Sequence, residues 1–216
     1  MKITYLGHSC FCFEAKDGTK LITDPYTRVG YELPNGLTAD IVLVSHGHFD
    51  HAYLNAVGGN PTVVSEAGNY TVNGIEIKGV DTWHDPKQGA LRGKNVVFQF
   101  TIDGITVCHF GDLGEGYCDK TANAVLGADV WLIPVGGTYT IDAAQAKEYA
   151  DKLSPKIIIP MHYRPTDGAL DIAPIGAFLT KIPTENVLTC PNGVYALDES
   201  EIDGLTGKII YMERCK

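Results

Sequence analysis

One short segment concentrates residues that could bind metal ions. Residues 46–51 read His-Gly-His-Phe-Asp-His and directly follow the apolar run Ile-Val-Leu-Val-Ser at 41–45. Imidazole and carboxylate groups are natural ligands of Zn²⁺ and related divalent ions, and two histidines at i and i+2 on extended chain point the same way. A turn would then direct Asp50 and His51 toward a second ion. The segment therefore predicts a metal site on the loop after a buried strand.

The remaining histidines also fall at strand ends. His84, His109 and His162 each end or follow a strand-like run, and His8 lies between the first two candidate strands. Metal-binding and catalytic groups commonly occupy such positions, because the sheet is rigid there and the following loop reaches a cleft. We therefore expect these histidines close to segment 46–51.

Side-chain alternation distinguishes His84 from His109. Along an extended run the side chains point to opposite faces in turn, so His109 points away from the metals if Asp112 points at them, unless the chain kinks at Gly111. His84 ends its own strand just before Asp85-Pro86, where the chain must leave the sheet. We expect His84 to complete the metal site and His109 to lie beside it.

The composition is that of an ordinary soluble globular protein. The chain has 216 residues, of which 44% are apolar and 20% charged, and its formal net charge is −9. A negative surface disfavours nucleic acids and anionic membranes as partners, and no run approaches the ~20 apolar residues of a membrane span. We find no signal peptide, so the six cysteines are expected to be reduced and the protein cytoplasmic.

Short strands predominate in the first half, and helices come later. The predicted strands are 2–6, 9–14, 20–23, 41–45, 62–64, 70–72, 75–80, 95–102, 105–109, 130–133 and 156–159. Asn73-Gly74 and Asp103-Gly104 suit the type I′ turns of tight hairpins. The predicted helices are 119–127, 142–153 with Asp142 as N-cap, and 171–182. This pattern predicts an α+β protein of two packed sheets with helices outside, as one domain over residues 1–216.

An ordered series of short motifs runs through the chain. Its members are Leu-Gly-His-Ser at 6–9, Thr-Asp-Pro at 23–25, segment 46–51 with the preceding serine, His84, Phe-Gly-Asp at 110–112, Pro-Val-Gly-Gly at 134–137 and Pro-Met-His-Tyr at 160–163. In this series the chain resembles the metallo-β-lactamase superfamily of metal-dependent hydrolases, which fold as a four-layer αββα sandwich. The first two motifs are similar to the branch that contains ascorbate-6-phosphate lactonase and N-acyl-phosphatidylethanolamine phospholipase D.

The resemblance implies a site for two divalent metal ions, zinc first, with manganese, nickel and iron as alternatives. The implied ligands are His46, His48 and His84 for metal one, Asp50, His51 and His162 for metal two, and Asp112 as a bridge. Two such ions activate water against a small ester, lactone or phosphoester, and Asp50 and Asp112 would help to orient that water.

Several further residues are candidates for a role at the site. His8 either donates to the substrate or to a ligand carboxylate, or makes a structural hydrogen bond. Asp24 either supports the metal ligands or forms a plain turn. Tyr163 and Arg164 directly follow His162 and are candidates for a role beside the metals. The guanidinium of Arg164 either binds an anionic substrate group or lies in a solvated loop, and Tyr139 follows a Gly-Gly pair as a candidate substrate contact.

Three other functions compete with hydrolysis of a small molecule. A flavo-diiron oxidoreductase shares the fold, but such proteins typically carry Glu where this chain has His48, together with a flavin domain. A metal-dependent nuclease is disfavoured by the charge of −9. A non-catalytic metal-binding or sensor protein is disfavoured, because a structural zinc site closes its coordination shell with four ligands, whereas seven ligands for two ions, one of them shared, leave open positions.

Overall fold

A computed structural model describes residues 1–215 as two β-sheets with three α-helices. The strands are β1 (Lys2–Gly7), β2 (Cys10–Glu14), β3 (Lys20–Thr23), β4 (Ile41–Leu43), β5 (Thr62–Val64), β6 (Gly68–Val72), β7 (Ile75–Trp83), β8 (Lys94–Ile102), β9 (Ile105–His109), β10 (Val130–Pro134), β11 (Ile157–Met161), β12 (Val187–Cys190), β13 (Val194–Ala196) and β14 (Lys208–Met212). The helices are α1 (Asp119–Val125), α2 (Ala143–Leu153) and α3 (Gly176–Leu179).

Each sheet combines antiparallel and parallel pairing. The first sheet has the order β13-β1-β2-β3-β4-β5, and the second has the order β12-β14-β11-β10-β9-β8-β7-β6. In the first, β3, β4 and β5 run parallel, and in the second, β9, β10, β11, β14 and β12 run parallel. Parallel neighbours bring their carboxyl ends to the same edge, which places the loops after them side by side.

The main core lies between the two sheets. Side chains of β2 alternate, so that Phe11 and Phe13 enter this core whereas Cys10 belongs to a smaller cluster on the other face. The rings of Phe13 and Phe100 meet across the sheets with centroids 5.0 Å apart. The smaller cluster covers the outer face of the first sheet with loop residues such as Tyr26 and Val29.

Helices cover the outer face of the second sheet. Every residue of β10 and β11 is buried, as expected of parallel strands with both faces covered. Asp142 caps α2 as predicted, since its carboxylate accepts hydrogen bonds from the backbone N–H groups of Ala144 (2.8 Å) and Gln145 (2.9 Å). The predicted α+β sandwich is confirmed. Within residues 1–215, no helix is long and apolar enough to cross a membrane.

The prediction of a helix over 171–182 was wrong. Only α3 is helical there, because Pro174 lacks a backbone N–H and disfavours helical geometry at the residue before it. That residue, Ala173, instead donates its N–H to the Gly136 carbonyl (2.8 Å) and accepts from the Arg164 N–H (3.0 Å). The strands β12, β13 and β14 also form without having been predicted.

The predicted strand 41–45 ends two residues early, at Leu43. Ser45 leaves the ladder because its N–H binds the carboxylate of Asp24 at 2.7 Å, and its carbonyl accepts from the Val96 N–H of the other sheet at 2.9 Å. Hydrogen bonds thereby connect the residue after β4 to the end of β3 and to the first residues of β8, just before the histidine-rich segment.

Candidate metal centre

Strand ends from both sheets converge on one site. The candidates follow β1 (His8), β3 (Asp24), β4 (segment 46–51), β7 (His84), β9 (Asp112) and β11 (His162). A backbone hydrogen bond from the His162 N–H to the His8 carbonyl (3.0 Å) joins the ends of β1 and β11 across the two sheets. His8, Asp24 and His162 all have positive φ, at 55°, 40° and 51°. Backbone held in this sparsely populated region commonly marks functional sites.

Three sets of side chains place potential ligand atoms within 4.8 Å of one another. The sets are His46, His48 and His84; His8, Asp50, His51 and His162; and His46, His51 and Asp112. The first set coincides with the ligands that the resemblance implies for metal one. The second contains those implied for metal two and adds His8. The third shares one member with each of the others.

Asp112 lies between the first two sets. Its Oδ2 is 3.4 Å from Nε2 of His84 and 3.2 Å from Nε2 of His162, and its Oδ1 is 3.1 Å from Nε2 of His51. Burial opposes ionisation of this carboxyl group, but His162 and His51 outweigh that penalty and hold the pKa of Asp112 well below its usual value. One ionised carboxylate therefore faces rings of both sets, as a bridging ligand would.

Buried atoms without protein partners fit bound cations. Within the described residues, Nε2 of His51, Nε2 of His162 and Oδ1 of Asp112 are buried and make no hydrogen bond. The His51 and Asp112 atoms are close, at 3.1 Å, yet their geometry is not that of a hydrogen bond. Leaving such groups unpaired costs about 1–3 kcal/mol each, a cost that coordination of a cation removes. The donor set, imidazole with carboxylate, suits Zn²⁺ and its neighbours.

Asp24 orients two of the candidate ligands. Its Oδ2 accepts from Nδ1–H of His51 at 2.7 Å and from the Ser45 hydroxyl at 2.6 Å, and the Ser45 oxygen lies 3.0 Å from Nδ1 of His46. These contacts favour a proton on Nδ1 of both rings, which would leave Nε2 of each ring as the atom that binds a metal ion. Burial opposes ionisation of Asp24, but His109 and His51 keep its pKa below the ordinary value.

His109 has both ring nitrogens occupied within the protein. Its Nε2–H donates to the Ser9 carbonyl at 2.9 Å, and its Nδ1 accepts from the Gly111 N–H at 3.1 Å. The chain does kink at Gly111, with φ of +55°, where a side chain would collide with Asn95. Asn95 in turn accepts from the Asp112 N–H at 2.8 Å. His109 thus belongs to none of the three ligand sets, which supports the preference for His84.

His8 faces the carboxylate of Asp50. Its Nε2 lies 3.2 Å from Oδ2 of Asp50, its ring centroid lies 4.3 Å from that of His162, and its backbone N–H donates to the Tyr31 hydroxyl at 3.1 Å. Burial, reinforced by His162 and opposed by Asp50, lowers the pKa of His8 to about 4. His8 is therefore neutral near pH 7, and a single N–H on Nε2 can hold Asp50 in place.

A cavity of about 310 Å³ opens over the cluster. It is lined by His48, Phe49, Asp50, His84, Arg92, Asp112, Tyr139 and Leu170. Tyr139 was a candidate from the sequence. Arg92, Phe49 and Leu170 were not, and Arg92 is the one cationic side chain among these lining residues. No motif or spacing distinguishes Arg92 in the sequence.

Two residues that the sequence suggested as substrate contacts, Tyr163 and Arg164, do not line this cavity. Tyr163 is buried, and its hydroxyl donates to the Met212 carbonyl at 3.2 Å. Arg164 points to a different cavity and lies 3.9 Å from the carboxylate of Asp171. The positive φ of His162 turns the chain after it away from the cluster, so adjacency in sequence to a ligand was misleading for both residues.

Two packed sheets with a histidine–aspartate cluster at their strand ends define a metallo-β-lactamase fold, and comparisons with known proteins agree. A family model described as "Beta-lactamase superfamily domain" matches residues 2–162. A relative from Carboxydothermus hydrogenoformans, named UPF0173 metal-dependent hydrolase, is 31% identical over 76% of this chain and 84% of its own length.

Solved structures show the same similarity. A chain from Thermotoga maritima, named for the metallo-β-lactamase superfamily, is 40% identical with a TM-score of 0.80 over 98% of both chains. The metallo hydrolase Igni18 from Ignicoccus hospitalis is 21% identical with a TM-score of 0.67, over 100% of this chain and 96% of its own, which shows the shared fold. The chain belongs to the metallo-β-lactamase superfamily and, within it, to the UPF0173 family of metal-dependent hydrolases.

Proposed function

We propose that this protein hydrolyses a small ester, lactone or phosphoester with two divalent metal ions. The observation that carries this proposal is the position of Asp112, whose two carboxylate oxygens lie 3.1–3.4 Å from rings of both candidate ligand sets. When bound, divalent ions in such a site make water a strong nucleophile at neutral pH and polarise the oxygen of the group under attack.

The metal assignments combine the resemblance with this geometry. His46, His48 and His84 hold one ion, Asp50, His51 and His162 hold the other, and Asp112 is shared. Nitrogen and oxygen ligands of this kind suit zinc, manganese, nickel and iron alike. We favour zinc, which the name of the Thermotoga maritima relative also proposes for that protein. His48 supports hydrolysis over diiron redox chemistry, because it lies in a ligand set where flavo-diiron proteins typically carry Glu.

Asp50 orients the attacking water, and His8 positions Asp50. Asp50 lines the cavity and is partly exposed, and its neighbours His8 and His51 keep it ionised, against the penalty of burial, by lowering its pKa. An ionised carboxylate only accepts hydrogen bonds, so Asp50 can orient an attacking water. The neutral His8 donates to Asp50 and holds it in that orientation.

The cavity favours small substrates. A volume of about 310 Å³ lies at the lower end for a small-molecule site, and the net charge of −9 disfavours nucleic acid. Within the superfamily, the Gly-His-Ser and Thr-Asp-Pro motifs support the branch of ascorbate-6-phosphate lactonase and N-acyl-phosphatidylethanolamine phospholipase D. We place the protein in the cytoplasm, acting as a single domain.

A metal-reconstitution experiment tests the proposal. Protein stripped with a chelator and reloaded with Zn²⁺ or Mn²⁺ is assayed against carboxylic esters, lactones and phosphodiesters. Hydrolysis of at least one class should appear on reloading and disappear again with chelator. Turnover that survives complete removal of metal would contradict the proposal, as would inactivity of the fully loaded protein toward all three classes.

A further inference from the structure

Arg92 stands at the wall of the cavity with Tyr139 and Thr138. Its guanidinium carbon lies 5.4 Å from the centre of the Tyr139 ring, and Nη2 donates to the Thr138 carbonyl at 3.2 Å. Thr138 has a positive φ of 61° in the loop after β10. These contacts hold the guanidinium plane beside an aromatic ring, while most of its five N–H donors remain available.

The charge of Arg92 has no acidic partner. Among the ion pairs of residues 1–215, Arg214 contacts Asp167 and Arg164 lies near Asp171, whereas Arg92 makes none. The acidic residues lining the cavity are Asp50 and Asp112, and both belong to the candidate ligand sets. The half-buried guanidinium of Arg92 is therefore not neutralised by a carboxylate outside the candidate metal centre.

A fixed loop presents Arg92 to the cavity. The fully buried carboxylate of Asp85 accepts four backbone N–H groups, from Lys87 (2.8 Å), Gly89 (3.1 Å), Leu91 (3.0 Å) and Arg92 itself (2.8 Å). These bonds lower the pKa of Asp85 although burial opposes its ionisation. The loop begins at His84, so one short ordered segment carries both a candidate metal ligand and the guanidinium.

Apolar side chains form the rest of the wall. Phe49 is 49% exposed and Tyr139 is 37% exposed, and Leu170 borders the same cavity. Large apolar groups that remain in solvent beside a polar cluster are typical of substrate sites, where they supply affinity and the few polar groups supply orientation.

We propose that Arg92 binds an anionic group of the substrate, a carboxylate or a phosphate, at a point separate from the bond that is hydrolysed. Phe49 and Leu170 contact the apolar part between the two ends. A guanidinium beside an aromatic ring binds either anion through two parallel N–H donors. The inference rests on the proposed function, since it gives the class of substrate for that same site.

Matched ligands test this assignment without turnover. Binding of succinate and glutarate to the zinc-loaded protein is compared by calorimetry with binding of butyrate and valerate, which lack the second carboxylate. We expect the protein to prefer the dicarboxylate of at least one pair, and Arg92→Ala to lower that preference by roughly 10- to 100-fold, the usual effect of losing a charge-assisted hydrogen bond. The affinity for 3-phosphonopropionate, compared with that for succinate, shows whether Arg92 prefers a phosphonate or a carboxylate as the second anionic group.

Further variants separate binding from a structural role of Arg92. Arg92→Lys keeps the positive charge but loses the two parallel N–H donors, so it should retain part of the preference for the dicarboxylate. Arg164→Ala changes a residue outside the cavity and should retain the whole preference. Equal loss of mono- and dicarboxylate binding in Arg92→Ala would show that Arg92 only holds the loops, and would overturn the assignment. Absence of any preference in the parent protein would do the same. A retained preference in a protein that hydrolyses no ester, lactone or phosphoester would instead contradict the proposed function alone.

Discussion

The support that Asp24 gives to the metal ligands leads to a quantitative prediction for Asp24→Asn. Oδ2 of Asp24 accepts from His51 at 2.7 Å and from the Ser45 hydroxyl at 2.6 Å, while Oδ1 accepts from the Ser45 N–H at 2.7 Å. An amide has one accepting oxygen, so its NH₂ group must face either the His51 ring or the Ser45 N–H. The first orientation forces His51 to move its proton to Nε2, which removes the lone pair offered to the metal. The second orientation places the NH₂ group opposite the Ser45 N–H, so that two hydrogen-bond donors face each other without an acceptor.

The expected loss follows from these bonds. Groups that orient metal-ligating histidines typically contribute 10- to 100-fold in metal affinity, or about 1.4–2.7 kcal/mol. Because Ser45 also transmits the orientation to His46, both candidate metal sites should weaken, and the site of His51 should weaken more. Asn tolerates the positive φ of 40° at this position, so the fold should be retained.

Competition with a chromophoric chelator measures both zinc affinities. Asp40→Asn is a matched control in the same sheet, because its exposed carboxylate accepts a single backbone bond, from Lys20 at 2.8 Å, and contacts no imidazole. Asp40→Asn should bind zinc like the parent. If a folded Asp24→Asn protein also binds both ions within about threefold of the parent, the orienting role of Asp24 is refuted.

Three further predictions concern the ligands, the rate and acid stability. His84→Ala should lose one ion or bind it far more weakly, and His109→Ala should keep both, whereas the opposite stoichiometry would move His109 into the ligand set. Asp50→Ala should fold normally, as judged by circular dichroism, and lower the hydrolysis rate by at least ~10², so activity within a few-fold of the parent would reassign the residue. Burial lowers the pKa of His8 from 6.5 to about 4 and that of His46 to about 3, so the unfolded chain takes up protons that the folded, metal-free protein excludes. Its free energy of unfolding in urea should therefore fall as the pH drops from 6.5 toward 4, by about 3 kcal/mol through His8 alone, and a constant value over that range would contradict the buried neutral state.

The fold was largely predictable where local patterns are strong. Alternation in β2, the uniformly apolar β10 and β11, and the capped helix α2 each follow from short-range periodicity and capping. The hairpin turns were predictable for the same reason, since Asn73 and Asp103 both adopt the left-handed backbone that a type I′ turn requires. Two of the C-terminal strands, β12 and β13, were not predicted because they are short edge strands with partly exposed residues and no apolar run. The third, β14, lies inside its sheet with a buried Ile-Ile pair that the sequence did offer as a signal.

The candidate site was predictable only in part. Histidines and aspartates at strand ends carry their chemistry in their residue types, and His46, His48 and His84 do come together in the structure. The position of Arg92 depends on a loop folded around the buried Asp85, a tertiary arrangement that no periodicity reports. Conversely, Arg164 follows His162 directly in sequence, yet the left-handed backbone of His162 directs the chain elsewhere.

The measurement that tests the central claim most directly is the metal content of the purified protein. The protein is stripped of metal, titrated with Zn²⁺ and passed through a gel-filtration column to remove excess zinc. Its zinc content, measured by elemental mass spectrometry, should approach two ions per chain, because Asp112 lies between two sets of ligands. A firm plateau at one ion per chain, in a folded protein with every candidate ligand intact, would contradict the dinuclear centre.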